Sequence, residues 1–293
     1  MYRRLFKYVI PEKHLHNTIT YYTNRNITPI LDYVVEHNTD QSVIHRFMDK
    51  KLQLFDDFPN SYHSLKLSSI NFDIYKTFLL AKSCKENNIK LLVDAEEYDV
   101  QDKVNDITHR LVQNGYDYNI FKTYQMYRKD MFRELVKDLH FHQTQNLIHN
   151  IKLVRGAYIF KDMNKNIIHE NKHNTDVVFN DSIDLLVEEI TQTSKINLIV
   201  ATHNMESFDK IRYIPSNYNV QHAALMGMEE KFDDKIRFVN RMVHIPFGPL
   251  HSAYPYMLRR LIENNPLNDQ IIEYKQKYDH YINNGQNPID VSK

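Results

Sequence analysis

Short apolar runs alternate along the chain with longer segments in which apolar residues recur at helical spacing. Eight of these runs are five to seven residues long and rich in β-branched residues. Several are apolar nearly throughout, as strands covered on both faces should be. The eight runs span residues 28–34, 63–68, 89–95, 119–125, 151–155, 196–202, 219–224 and 242–246. They predict eight short strands in a parallel sheet.

The segments between these runs carry apolar stripes at positions i, i+3, i+4 and i+7, which predict amphipathic helices. The clearest span residues 41–58, 73–88, 100–114 and 179–192, and Asp73 is the predicted N-cap of the second. Alternating strands and helices over about 250–300 residues indicate the α/β class and a (β/α)₈ barrel of the TIM type. A doubly wound open sheet is the alternative, but the glycine-rich turn expected after its first strand is missing.

The chain shows neither an internal repeat nor a linker. We therefore predict one barrel domain over residues 27–267. Residues 1–26 are predicted to form an N-terminal lead-in helix, and residues 268–293 a C-terminal helix and tail.

Composition excludes several classes of protein. Lys plus Arg and Asp plus Glu both number 37, so the chain lacks the basic excess of a general nucleic-acid binder. The one cysteine, Cys84, rules out an internal disulfide and points to a reducing compartment. Apolar runs stay far below the ~20 residues of a membrane helix. The basic start lacks the pattern of a secretory signal. We expect it to be a solvated segment, with the stub of an organelle presequence as the alternative.

Polar residues end most of the apolar runs, and in a barrel the chemistry lies at these C-terminal strand ends. Strand ends commonly carry polar residues, but a whole ring of them is typical of an active site. In order, the ends present Asp32, Lys66, Asp94, Glu96, Gln125, Arg155, Thr202, His203, Asn204 and His244. Gly156, beside one of these ends in a glycine-poor chain, suggests an unusual backbone conformation or a close ligand.

Two adjacent arginines, Arg259 and Arg260, follow the last strand in a segment of helical pattern. Two guanidinium groups at one point can clamp a small carboxylate. A solvated basic turn is the alternative that periodicity alone favours slightly.

Several stretches resemble the FAD-dependent proline dehydrogenase family, most closely its eukaryotic, stand-alone branch. They follow the family's order over roughly four fifths of the chain, and KLVRGAY and RRLIEN are the most specific. The stretches are ILDYVVE, SLKLSSI, LLVDAE, FKTYQMY, KLVRGAY, VATHN, LMGM and IPFGPLHSAYPYMLRRLIEN.

The resemblance implies a (β/α)₈ barrel whose last helix carries the arginine pair over the barrel mouth. It also implies oxidation of L-proline to Δ1-pyrroline-5-carboxylate by hydride transfer to the N5 atom of FAD, with electrons passed to a quinone. The alternative is a catalytically impaired homologue that acts as a binding or sensing protein. The same resemblance implies a mitochondrial location with a peripheral membrane contact; otherwise we expect a soluble protein in a compartment such as the cytoplasm.

By resemblance, each group of site residues receives a role. Asp94 and Lys152 are implied as the catalytic pair near the flavin. The implied substrate-binding residues are Lys66, Tyr158, His244, Arg259 and Arg260. The implied cofactor-binding residues are Ala95, Gln125, Val154, Arg155, Gly156, Lys172, Thr175, Thr202, His203, Asn204 and Glu263, and Glu263 would also order the arginines.

The chain departs from the family pattern at three points. His244 stands where the family usually has a tyrosine lining the proline site, and histidine is smaller and titratable. Ala223 and Ala224 occupy the strand where a glutamine normally touches the flavin. Asn171 replaces a usual threonine. These changes permit either altered kinetics or a degenerate relative.

The 16 histidines raise the question of a metal site. The pairs His14–His16 and His140–His142, with His149 nearby, lack the HExxH spacing of a helical metalloenzyme motif. We therefore expect no metal.

Overall fold

Eight parallel strands close into a barrel in which each strand lies beside its neighbour in the sequence. The structure is a computed structural model that describes residues 9–35, 38–232 and 239–249. The strands are β1 Ile27–Tyr33, β2 Tyr62–Leu65, β3 Lys90–Val93, β4 Ile120–Gln125, β5 His149–Val154, β6 Ile196–Ala201, β7 Val220–Leu225 and β8 Asn240–Phe247. The predicted (β/α)₈ barrel is confirmed.

Helices separate most of the strands in the described part of the chain. They are α1 Leu15–Thr23, α2 Gln41–Asp57, α3 Ile74–Glu86, α4 Tyr98–Leu111, α5 Met131–Thr144, α6 Ile159–Asp162, α7 Lys172–Gln192 and α8 Met205–Asp209. The predicted cap of α3 is confirmed, because Asp73 accepts a hydrogen bond from the backbone N–H of Lys76 at 3.0 Å.

Several elements differ from the sequence prediction, including the short helices α6 and α8, which were not predicted. Strand β2 ends at Leu65, because Leu67–Ile70 turn into a 3₁₀-helix. Helix α7 starts at Lys172, where Asn171 caps its first turn, and thus well before the predicted residue 179. Helix α5 was not predicted; it buries Met131, Leu135 and Leu139 between more polar residues.

Apolar side chains fill the barrel interior below its C-terminal mouth. This cluster consists of Ile30, Leu92, Phe121, Ile199, Ala223 and Met242, and each is almost completely buried. Larger clusters lie between the strands and the surrounding helices. The barrel is therefore closed by side chains in its middle, and its polar inward positions collect at the mouth.

The barrel closes where β8 pairs with β1, with Ile30 opposite His244. This closure brings residues from the two ends of the barrel sequence together at the mouth. No helix among the described residues is both long and apolar enough to cross a membrane.

Part of the predicted lead-in helix, residues 1–8, lies outside the described residues, as does the predicted C-terminal segment 268–293. The arginine pair, Arg259 and Arg260, and Glu263 also lie outside them. The three domain boundaries remain predictions.

Candidate active site

A cavity of about 640 Å³ lies at the C-terminal mouth of the barrel, walled by residues from the strands and the loops that follow them. Of the predicted site residues, its lining includes Lys66, Asp94, Ala95, Gln125, Lys152, Val154, Arg155, Gly156, Tyr158, Lys172, Thr202, His203, Asn204 and His244. Thr175 is the one predicted site residue in the described ranges that does not line this cavity.

A second cavity of about 670 Å³ lies beside the N-terminal part of β1 and the turn that precedes β2. Its described lining contains Asp57 as the only charged residue and no cation. The mouth cavity brings several cations and carboxylates together, which is typical of a catalytic site. We therefore treat the mouth cavity as the candidate active site.

Asp94 lies at the centre of the mouth and is shared by two lysines. Its Oδ1 atom is 2.7 Å from Nζ of Lys152, and its Oδ2 atom is 3.3 Å from Nζ of Lys66. The hydroxyl of Ser64 donates to the same carboxylate at 3.1 Å. Burial raises the pKa of Asp94, but the charges of Lys152 and Lys66 outweigh it and hold that pKa below its ordinary value. Asp94 is therefore a carboxylate at neutral pH.

Asp32 and His244 form a second buried pair on the other side of Lys66. The Nε2 atom of His244 lies 3.0 Å from Oδ2 of Asp32, and Nζ of Lys66 lies 3.7 Å from the same oxygen. Burial opposes the ionisation of Asp32, but Lys66 and the hydrogen bond from His244 hold the pKa of Asp32 well below its usual range. Five charged or titratable side chains thus run across the mouth from His244 to Lys152.

Arg155 ties the end of β5 to two neighbouring elements. Its Nε donates to Asp176 at 2.5 Å, its Nη1 to Thr202 at 2.8 Å and its Nη2 to Ser207 at 2.8 Å. The guanidinium also lies 4.2 Å from the ring centre of Phe179. The side chain of Arg155 therefore holds the wall of the cavity together.

Gln125 and Glu96 connect adjacent strand ends. The side-chain amide of Gln125 donates to the backbone carbonyl of Glu96 at 2.7 Å, and the Oε1 atom of Glu96 accepts from the N–H of Ser68 at 2.9 Å. Burial raises the pKa of Glu96 from 4.5 to about 7, although the hydrogen bond from Ser68 opposes this shift. These contacts fix the loop that carries Lys66 against the end of β4.

Gly156 adopts a φ of +125°, which is a conformation that favours glycine. A Cβ atom at this position would lie 2.0 Å from Cδ1 of Tyr127, so the ring of Tyr127 lies directly against the Gly156 backbone. The hydroxyl of Tyr127 donates to Asp162 at 2.6 Å. This contact fixes the loop on which Tyr158 lines the cavity.

The loop after β6 is held by its own polar side chains. The hydroxyl of Thr202 accepts from the backbone N–H of Asn204 at 3.1 Å, and Asn204 caps α8 through the N–H of Ser207. The Nε2 atom of His203 accepts from the N–H of Leu225 at 3.0 Å. These three predicted residues are therefore brought to the cavity by a loop with defined geometry.

Lys172 and Thr175 lie in the first turn of α7. Lys172 lines the cavity and forms an ion pair with Asp176. The Thr175 side chain is buried and its hydroxyl lies 3.5 Å from the backbone carbonyl of Asn171. Lys172 can reach a ligand in the cavity, whereas Thr175 supports the helix start.

Sequence reasoning placed Asp32 in the ring of polar strand ends without a specific role, and it did not single out Asp176 or Tyr127. An acidic residue inside the apolar run of β1 is the signal that singles out Asp32. Asp176 and Tyr127 have no comparable signal, because an acidic residue in a helix and a tyrosine in a loop are common. No group of three or more residues able to hold a metal ion is found within the described ranges.

A sequence model of the proline dehydrogenase family matches residues 15–272. Proline dehydrogenase 1, mitochondrial, of Homo sapiens is 27% identical over 208 residues, which are 64% of this chain and 34% of the human protein. Proline dehydrogenase 2, mitochondrial, of Arabidopsis thaliana is 29% identical over 201 residues, which are 62% of this chain and 42% of the plant protein. The matched region thus spans less than half of either relative.

The fold is similar to that of proline utilization A from Bdellovibrio bacteriovorus in a crystal structure. The TM-score is 0.78 with 17% sequence identity, and the match covers 89% of this chain and 32% of that chain. At this identity the likeness shows a shared barrel fold.

Proposed function

We propose, from the premise that this chain belongs to the proline dehydrogenase family, that it oxidises L-proline to Δ1-pyrroline-5-carboxylate with FAD as cofactor. The observation that carries the proposal is Asp94, buried at the cavity between Lys152 and Lys66. These groups offer fixed charges to a small zwitterionic substrate and to a cofactor whose charge changes.

The lining of the mouth cavity fits a flavin nucleotide by its chemistry. Ala201, Ala223 and Leu225 supply apolar surface for a flat ring system, and Lys152 and Lys172 supply cations for a reduced ring and for phosphates. Gln125 and the backbone of residues 154–156 would hold the ring system and pyrophosphate, and Lys172 would meet the phosphate and adenosine portion. Bound FAD would supply the two-electron acceptor for the hydride of the substrate.

The protein residues would bind and orient the substrate. Lys66 attracts the proline carboxylate together with Arg259 and Arg260, whose placement lies outside the described residues. Tyr158 covers the proline ring and excludes water. Asp94 holds Lys152 in place, because removing either partner would leave the other unpaired in a buried site.

A quinone is the electron acceptor that we propose for the second half of the reaction. The relatives named above carry the word mitochondrial in their names. We therefore propose a mitochondrial location, with a peripheral membrane contact that would give access to the quinone.

The direct test is an anaerobic titration of the purified full chain, reconstituted with FAD. We expect flavin absorption in the visible range that bleaches on addition of L-proline and does not bleach with D-proline. Lys152→Met should slow the bleaching at least tenfold, while Lys82→Met, on the exposed face of α3, should leave its rate unchanged.

Two other outcomes would contradict the proposal. Flavin that binds but is not reduced by L-proline would favour the impaired homologue that acts by binding or sensing, in keeping with Ala223 and Ala224 at the flavin strand. If the purified protein binds no added FAD, the proposal that it is a flavoenzyme is wrong.

A further inference from the structure

Asp32 and His244 form a dyad at the point where the barrel closes. His244 Nε2 lies 3.0 Å from Asp32 Oδ2, both residues are buried, and His244 lines the mouth cavity. Asp32 is held in its ionised form by Lys66 as well as by this hydrogen bond. A carboxylate can only accept, so Nε2 of the neutral imidazole carries the proton, and Nδ1 carries the lone pair.

The hydroxyl of Thr123 has no hydrogen-bond partner among the described residues, but a hydroxyl is too weak a base for proton removal at neutral pH. The other side chains of the described lining that could accept a proton already have protein partners. His203 uses its Nε2 lone pair to accept from Leu225, and the Asp94 carboxylate accepts from Lys152, Lys66 and Ser64. The Nδ1 atom of His244 forms no hydrogen bond with any described residue. Among the described lining residues, the Nδ1 atom of His244 is therefore left available to accept a proton.

The proposed oxidation needs such a base. A secondary amine such as that of proline is protonated at neutral pH, and its nitrogen lone pair must be free before a C=N bond can form. A positioned side chain that removes this proton contributes typically about 10²–10⁴-fold to the rate. Histidine changes charge between about pH 5 and 8, which suits it to this exchange.

We propose that His244, oriented by Asp32, is the general base that takes a proton from the ammonium group of the substrate; the proposal rests on the function proposed above. One N–H bond of the substrate breaks and one Nδ1–H bond forms, so the neutral imidazole becomes imidazolium. No electrons leave the substrate in this step. The freed lone pair would then form the C=N bond, for which bound FAD would supply the two-electron acceptor.

The surrounding charges support this step. Asp32 lies against His244 from β1 and stabilises the imidazolium, as the carboxylate does in a catalytic triad. Lys66, 3.7 Å from Asp32, opposes a second positive charge and thereby favours return of the proton to solvent after turnover. Asp94 and the buried Lys51 of α2 are the other charged groups whose fields reach the pair. Asp32 is thus a positioning residue and His244 a catalytic residue.

The test is the pH profile of flavin bleaching by L-proline in single-turnover experiments. His244→Gln retains an amide donor for Asp32 but removes the base. We expect the bleaching rate of this variant at pH 7 to be at least 100-fold lower than that of the wild type. The bleaching rate of the wild type should fall as the pH is lowered, and this fall should be absent in the variant. Added imidazole should partly restore the rate of His244→Ala. His109→Gln, on the outer helix α4, should match the wild type.

A binding measurement distinguishes a catalytic role of His244 from a structural one. Cyclopentanecarboxylate has the ring and carboxylate of proline but no nitrogen, so it needs no base. We expect its dissociation constant, read from the flavin spectrum, to stay within about threefold in His244→Gln, a limit well below the catalytic effect of a base. Asp32→Asn should shift the acid limb of the rate profile rather than abolish it.

The outcomes distinguish the two proposals. A wild type that bleaches with L-proline, combined with a His244→Gln protein of equal rate and pH profile, would overturn the role of His244 alone. Equal losses of bleaching rate and of cyclopentanecarboxylate binding would show a structural role and would also overturn it. A wild type that holds flavin but is not reduced by L-proline would overturn both proposals.

Discussion

Nζ of Lys152 lies 2.7 Å from Oδ1 of Asp94, and both side chains are buried at the mouth of the barrel. The second oxygen of Asp94 faces Lys66 at 3.3 Å, so one carboxylate forms ion pairs with two lysines. Removal of one member of a buried ion pair leaves an uncompensated charge, which typically costs about 3–5 kcal/mol. The carboxylate should therefore matter more to stability than either lysine.

We expect Asp94→Asn to lower the free energy of unfolding by about 3 kcal/mol or more, and Lys152→Met to lower it by less. Urea unfolding of the purified protein at pH 7 measures both. Glu86→Gln, which removes a partner of Lys82 at 3.9 Å on the surface, should cost less than about 1 kcal/mol. Equal costs for Asp94→Asn and Glu86→Gln would contradict the shared role of Asp94.

Gly156→Ala should damage the site through a steric conflict. The new Cβ atom would lie 2.0 Å from the Tyr127 ring, so the ring or the loop must move. We expect a loss of about 2–3 kcal/mol of stability and weaker retention of flavin on gel filtration.

Gly115→Ala is the matched control for this substitution. Gly115 also has a positive φ, of +82°, but nothing lies within 4 Å of an added Cβ. It should cost only the strain of the left-handed conformation, about 1 kcal/mol, and leave flavin binding intact. If both variants lose the same stability and both keep flavin, the contact between Gly156 and Tyr127 has no special role.

Glu96 should make the protein less stable as pH rises. Folding raises its pKa from 4.5 to about 7, so the folded protein keeps a proton that the unfolded chain releases in this range. Stability from this group is present below pH 4.5 and is lost as pH rises through about 7, by up to about 3 kcal/mol in total.

Urea unfolding at pH 5 and pH 7.5 measures this dependence. We expect Glu96→Gln to reduce the difference between the two pH values by about 2–3 kcal/mol, whatever its effect on stability at either one. Glu86→Gln, on an exposed surface, should leave the difference as it is in the wild type. An unchanged difference in Glu96→Gln would show that this carboxyl ionises normally in the folded protein.

Arg155→Lys should loosen the wall of the cavity, although it conserves the charge. Lysine can replace one of the three hydrogen bonds to Asp176, Thr202 and Ser207, but its single ammonium group cannot span all three. We expect a loss of about 2 kcal/mol or more in urea unfolding. Arg110→Lys, in an exposed pair with Asp106 on α4, should change little. A similar small change in Arg155→Lys would mean that the three contacts do not support the wall.

The architecture could be predicted from particular features of the sequence. The apolar run of β6 and the amphipathic stripe of α2 have different periods, and only a layered α/β fold buries both. Helix α5 was not predicted from the sequence, because charged residues between its buried positions weaken the apolar pattern of helical spacing. Strand β2 was predicted too long because Leu67 continues the apolar pattern although its backbone has already turned.

Many residues of the candidate site could be predicted from the sequence, but few of their hydrogen bonds and ion pairs could. Lys66 and Asp94 are recognisable as polar residues that end apolar runs, whereas Lys152 was expected only from the family resemblance. The partners of Arg155 were not recognisable, because Asp176, Thr202 and Ser207 lie on different elements. Which polar groups pair depends on side-chain directions that only the packed barrel defines.

By itself, the sequence determined the order of strands and helices and the concentration of polar residues at strand ends, because both follow from local periodicity. Only the tertiary structure decided that His244 pairs with Asp32, 212 positions away, and that Asp94 serves two lysines. The physical reason is barrel closure. It sets β8 beside β1 and aims inward side chains from separate strands at one buried space, where each charge must find a partner.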